Sequence, residues 1–252
     1  MALFDKSSNP TVRDSIFKNA VGTGYSTETM TVKGTVVKTF ILLFLAVFAA
    51  SYTWSLHVSQ MSSWMIGGLI AGFVLAIVIV FAPKTAPYLA PVYALAEGLA
   101  LGAISSLYNQ AFAELFPGIV TTAVAITLLT ALVMLFCYQT GLIRVTNKLR
   151  ATIVVALVSV MIFYAAIMLL SLFKVPGLAM FYAGSSLGSI AISVVITIVA
   201  ALCLLLDFDF IERGSQSGAP KYLEWYGAFS LMVTLVWLYL EILRLLSKIA
   251  NR

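Results

Sequence analysis

Seven apolar runs, each about twenty residues long, decide what this chain can fold into. They are roughly Lys38–Leu56, Trp64–Ala82, Ala86–Tyr108, Phe116–Tyr138, Ala151–Phe173, Ser186–Leu206 and Tyr222–Leu243. A helix needs ~20 apolar residues to cross ~30 Å of hydrocarbon. Inside lipid only helices and closed barrels satisfy every backbone N–H and C=O. A barrel would alternate polar and apolar residues over ~10-residue strands, and no such alternation is present. The fold class is therefore all-α: a polytopic membrane protein, a seven-transmembrane-helix bundle. Composition agrees, with 62% hydrophobic and 10% charged residues against roughly 25% charged in a soluble domain. The net charge of +5 does not indicate nucleic acid, because the basic residues sit in loops and tails; the partner they imply is the lipid bilayer. Cys137 and Cys203 both lie inside apolar runs and read as small hydrophobes.

The organisation is simple. Residues 1–37 read as a polar, mostly disordered cytoplasmic N-terminal tail, and 38–252 as the seven-helix transmembrane domain. A secretory signal would place its apolar core earlier. Asn9–Ala20 carries a weak signal for a short surface helix. Lys and Arg collect on the cytoplasmic side if the N-terminus is inside: eleven there, against Lys174, Arg244, Lys248 and Arg252 outside. That orientation suits the inner (plasma) membrane, with the basic C-terminus dissenting. Pro83 and Pro87 punctuate a tight turn, Lys174–Ser186 reads as an irregular outer loop, and Glu212–Tyr222 as a flexible inner one.

The acids are few, and their positions carry the functional argument. Glu97 lies near the middle of the third run, where a charge costs ~2.5 kcal/mol or more. It serves either as a protonated hydrogen-bonding link between helices or in an ion or proton path. Beside it, Ala94, Gly98 and Gly102 fall four apart, the spacing that lets helices approach closely. Asp207 ends the sixth run. At ~100° per residue Ser189 shares its azimuth and Ser193 lies about 40° away, so a hydroxyl-bearing stripe leads to it. A carboxylate at a helix C-terminus also opposes the macrodipole, which calls for a specific partner. Asp209 points the other way and reads as a solvated or headgroup-facing charge. On the last run Ser230, Thr234, Trp237 and Glu241 share one face. Ser230 and Thr234 are at a depth to meet Asp207, whereas Glu241 has Arg244 three residues on, the spacing of a helical ion pair.

Three stretches resemble the Bax inhibitor-1/YccA (transmembrane Bax inhibitor motif) family, bacterial branch: "YALAEGLALGAISSLY" (Tyr93–Tyr108), "DFDFIERG" (Asp207–Gly214) and "WLYLEILRLL" (Trp237–Leu246). The resemblance implies a compact bundle with the last helix central. It also implies a pH-sensitive calcium leak governed by a pair of aspartates on the sixth and seventh helices. By position the first aspartate matches Asp207 and the family's mid-membrane glutamate matches Glu97. The second falls at Ser230–Thr234 in one register, where there is no acid, and at Glu241 in the other. An arginine that some members carry late on the Glu97 helix has no counterpart in Leu99–Gln110.

Two functions from different classes follow. One is a passive cation pathway through Glu97 and Asp207, with no cofactor, Ca2+ as candidate permeant ion, and Ser230, Thr234 and Glu241 as candidate gate partners. The other is a non-conducting protein that modulates a membrane partner such as a quality-control protease, through the basic tail. Catalysis finds no support in the sequence: the one histidine, His57, falls in an outer loop, and Lys248 reads as lying past the last run. No phosphate-cradling loop or zinc spacing occurs.

Overall fold

The computed structural model describes residues 28–175 and 177–252. Among them are eight α-helices and no strand, seven of the helices being long and apolar enough to span a membrane. They are α1 (Val32–Trp54), α2 (Val58–Phe81), α3 (Ala86–Ala111), α4 (Ile119–Gln139), α5 (Asn147–Leu172), the short α6 (Gly177–Ala183), α7 (Leu187–Gln216) and α8 (Leu223–Ala250). A 3-10 turn, Pro83–Thr85, joins α2 to α3. The last helix is the most enclosed of the seven, with 61% of its most apolar stretch buried against 17% for α2, α4 and α5. Residues 1–27, including the candidate surface helix Asn9–Ala20, lie outside the described residues.

Each expected run is present as a helix, and several outlast their apolar stretch. The physical reason is that a helix ends at a cap, and hydropathy does not set the cap. The first opens at Val32, ahead of Lys38, because Thr31 is its N-cap: Gly34 N donates to Thr31 Oγ1 at 2.9 Å. The sixth span runs on to Gln216, so "DFDFIERG" is helical and the loop expected over Glu212–Tyr222 shrinks to 217–222. Gly218 stops it with φ of 65°, and Ala219 N donates back to Gly214 O at 3.0 Å. The last span passes Leu243 to reach Ala250. The Lys174–Ser186 segment, expected to be irregular, contains α6 and buries Tyr182.

The chain forms two compact units, with boundaries inside α7 and α8. The first holds the described residues up to Ala111 together with Asp207–Val233. In it α3 packs on α1 and α2 through bare backbone. A Cβ on Gly98 would fall 2.3 Å from Ala46 O, and one on Gly102 would fall 2.3 Å from Ala50 O. The small-residue stripe therefore does what its spacing predicts. Tyr93 meets Phe229 edge-on at 4.9 Å. The second unit, Phe112–Leu206 with Thr234–Arg252, centres on Ile153, Ile196, Val199, Cys203 and Leu206, with Trp237 packed against them.

Candidate functional site

In the first unit Asp207 is 1% exposed, and the Ser230 hydroxyl donates to its Oδ1 at 2.6 Å. Gly227 makes this approach practicable. A Cβ there would meet Thr35 Cγ2 at 3.1 Å and Ile211 Cγ1 at 3.2 Å, so α8 closes on α7 one turn beyond Asp207. The sequence pairing of Asp207 with the Ser230 face is thus realised. Glu97, on α3, is half-buried, and its Oε2 fills the space beside Gly72: a Cβ on that glycine would lie 2.6 Å from it. The missing side chain on α2 is what makes room for the carboxylate.

Asp209 corrects the sequence expectation. It is not solvated but 7% exposed, and it accepts from Arg213 Nε at 3.0 Å. Because the helix continues past the apolar run, Arg213 stands four residues on along the same face and can reach back.

Glu224, which sequence reasoning passed over, organises the start of α8. It is 1% exposed and accepts from Thr31 N at 2.9 Å, from Thr31 Oγ1 at 2.8 Å and from Lys38 Nζ. Just before it, Met30 N donates to Ala219 O at 2.6 Å and Thr29 bridges Pro220. Outside the spans, the hydrogen bond from Lys221 to Glu28 raises that ammonium above its ordinary value.

The second unit gathers the rest of the acidic face of α8. Glu241 Oε1 accepts from Tyr164 OH at 2.5 Å and from Arg244 at 2.9 Å, and Tyr182 OH reaches Oε2 at 3.4 Å. Arg244 also donates to the hydroxyls of Tyr182 at 2.8 Å and Tyr164 at 3.0 Å. The i,i+3 pair is therefore present, clamped by two tyrosines that no spacing argument had linked to it. Thr234 is buried in this unit as well. The three candidate gate partners thus divide, Ser230 to Asp207 and Glu241 to the tyrosine–arginine cluster.

Lys248 is the second correction. It lies inside α8, 3% exposed, where it donates to Ser193 Oγ at 2.7 Å and to Ser189 Oγ at 2.8 Å. The hydroxyls expected to lead toward Asp207 serve this ammonium instead. The legible signal was Glu241, Arg244 and Lys248 at i, i+3 and i+7, but it needed the helix to run beyond Leu243. Among the described residues no group of three or more His, Cys, Asp or Glu side chains converges as a metal site would require.

A family model described as Bax inhibitor 1 like matches residues 9–251. The chain belongs to this family. No curated protein and no solved structure matches it. The match spans all three stretches that carried the resemblance, so the seven helices described above are those of a Bax inhibitor 1-like membrane protein.

Proposed function

We propose that this Bax inhibitor 1-like protein is a passive cation pathway of the inner membrane, its N-terminus cytoplasmic, in which Asp207 and Glu97 attract the ion and Ca2+ is the candidate permeant species. The observation that carries the reading is the enclosed Asp207 carboxylate, held at 2.6 Å by the hydroxyl of Ser230. A carboxylate near hydrocarbon is costly and marks ion paths by default, and hard divalent cations favour carboxylate and carbonyl oxygens. A serine opposite the aspartate donates to the carboxylate and accepts from the acid, so it keeps Asp207 in place through titration. Lowering the pH then changes the charge of the path more than its shape, and the leak falls as Asp207 takes up a proton.

The test is Ca2+ flux into proteoliposomes from mildly acidic to mildly alkaline pH. Wild type should leak more as pH rises, Asp207→Asn should give a low, flat profile, and Glu97→Gln should lower flux at every pH. Flux that is unchanged in both variants refutes the assignment. Absence of flux at any pH, in protein shown to be folded, transfers the reading to the partner-modulating function. In that case the docking segment is the basic tail that precedes Thr29 and Met30, which are tied to the loop before α8.

A further inference from the structure

Lys248 is a buried cation that the pathway above does not use. Its neighbours on the same face of α8 are already committed, since the single carboxylate, Glu241, is taken up by Arg244 and Tyr164. Among the described residues Lys248 has no ion-pair partner. Its direct contacts are neutral electron-rich groups, with Arg244 over the other part of the same cluster at 5.3 Å from the Tyr182 ring centroid. Ser189 Oγ and Ser193 Oγ lie at 2.8 and 2.7 Å from Nζ, Ser189 O at 3.5 Å, and the Tyr182 ring centroid at 3.9 Å.

The polarity at Ser189 is set without the lysine. Ser189 spends its hydroxyl proton on Tyr182 O at 2.8 Å, which leaves its lone pairs toward Nζ. The Tyr182 ring is held by its own hydroxyl, which accepts from Arg244 at 2.8 Å. The walls belong to α6 and α7, and both serines are fully buried. Hydroxyl and carbonyl oxygens with an aromatic face are ligands for a desolvated monovalent cation.

We propose that Ser189, Ser193 and Tyr182 form a monovalent-cation site of alkali-metal chemistry that the Lys248 ammonium occupies as a tethered blocker. The ammonium head is close in size to a potassium ion, and its stem enters from α8. Removing the head leaves a space of acceptors without a donor, which a potassium or sodium ion refills. The inference concerns binding in the second unit, and it stands whether or not Glu97 and Asp207 conduct.

The experiment is thermal unfolding of the purified full chain in chloride salts of equal ionic strength, with choline as the inert reference and lithium, sodium, potassium and rubidium as probes. Wild type should melt at one temperature in all of them. Lys248→Ala should melt lower in choline and recover several degrees, saturably, in potassium or sodium. Adding Ser193→Ala to that variant should abolish the recovery. Lys248→Met, whose thioether arm refills the space, should be destabilised but indifferent to the salt. Lys248→Ser is the second small variant if the alanine is poorly recovered. Equal melting of Lys248→Ala in every salt overturns the proposal, as does equal salt response in wild type. Failure of both small variants to fold even in potassium also overturns it, because the refilled site should support the bundle. With methylammonium chloride as a further probe, rescue of Lys248→Ala by methylammonium but by no alkali ion overturns it too, since the cradle would then fit only a lysine head.

Discussion

Replacing Glu224 by alanine should destabilise the first unit far more than a surface carboxylate would. The side chain is 2% exposed and accepts from Thr31 N, Thr31 Oγ1 and Lys38 Nζ, while Lys38 keeps 16% of its side chain in contact with solvent. Removing one member of a buried pair costs ~3–5 kcal/mol, and the partial exposure of Lys38 favours the lower end, about 3 kcal/mol. The two Thr31 donors overlap with that figure, because all three contacts share one carboxylate. For a chain of this size each kcal/mol moves the melting temperature by ~2–4 °C, so the expected drop is about 6–12 °C. The assay is thermal unfolding in detergent of Glu224→Ala, Lys38→Ala and the double variant. In the double variant the second substitution should add little, because the pair is already broken.

Gly34→Ala supplies an independent sign test. In a helix interior that change ordinarily stabilises by ~0.5–1 kcal/mol. Here the new Cβ would fall 2.2 Å from Glu224 Oε1 and displace it, so the melting temperature should drop. A Gly34→Ala protein that melts higher than wild type, or a Glu224→Ala protein that melts with it, refutes the reasoning.

Two further outcomes are expected. Gly98→Val, whose Cβ would meet Ala46 O at 2.3 Å and Ala46 Cα at 2.8 Å, should cost upward of ~1–3 kcal/mol, whereas Gly67→Ala, inside α2 with nothing within 4 Å, should stabilise by ~0.5–1 kcal/mol; thermal unfolding of the two separates close packing from a general intolerance of larger residues. Tyr164→Phe removes one donor to Glu241 and should cost ~1–2 kcal/mol, while Glu241→Ala, which strands Arg244 among tyrosines, should cost ~3–5 kcal/mol; the reverse order in the melting temperatures would show that the tyrosine, not the ion pair, holds the cluster.

Much of the site was legible because helix periodicity places residues on faces without knowledge of the fold. Glu97, Asp207, the Ser230 face and the Glu241–Arg244 pair are all readable as positions along one helix or at the ends of two consecutive ones. Asp209 and Lys248 were misread for a shared reason. Both judgements took the end of the apolar run as the end of the helix, whereas α7 ends at Gln216 and α8 runs to Ala250. The Glu224 clamp was beyond reach, because Thr31 and Glu224 stand 193 positions apart and neither carries a periodic signal.

The sequence by itself determined that the chain is an all-α membrane protein with seven spans, since backbone polar groups in hydrocarbon admit few alternatives. The tertiary structure alone decided the partners that no spacing had linked: arginine for Asp209, two tyrosines beside the arginine for Glu241, serines and a ring for Lys248. Helix geometry orients a residue along its own axis. Pairing, by contrast, depends on how near two axes come, and that is set by where glycines such as Gly98, Gly102 and Gly227 let backbones touch.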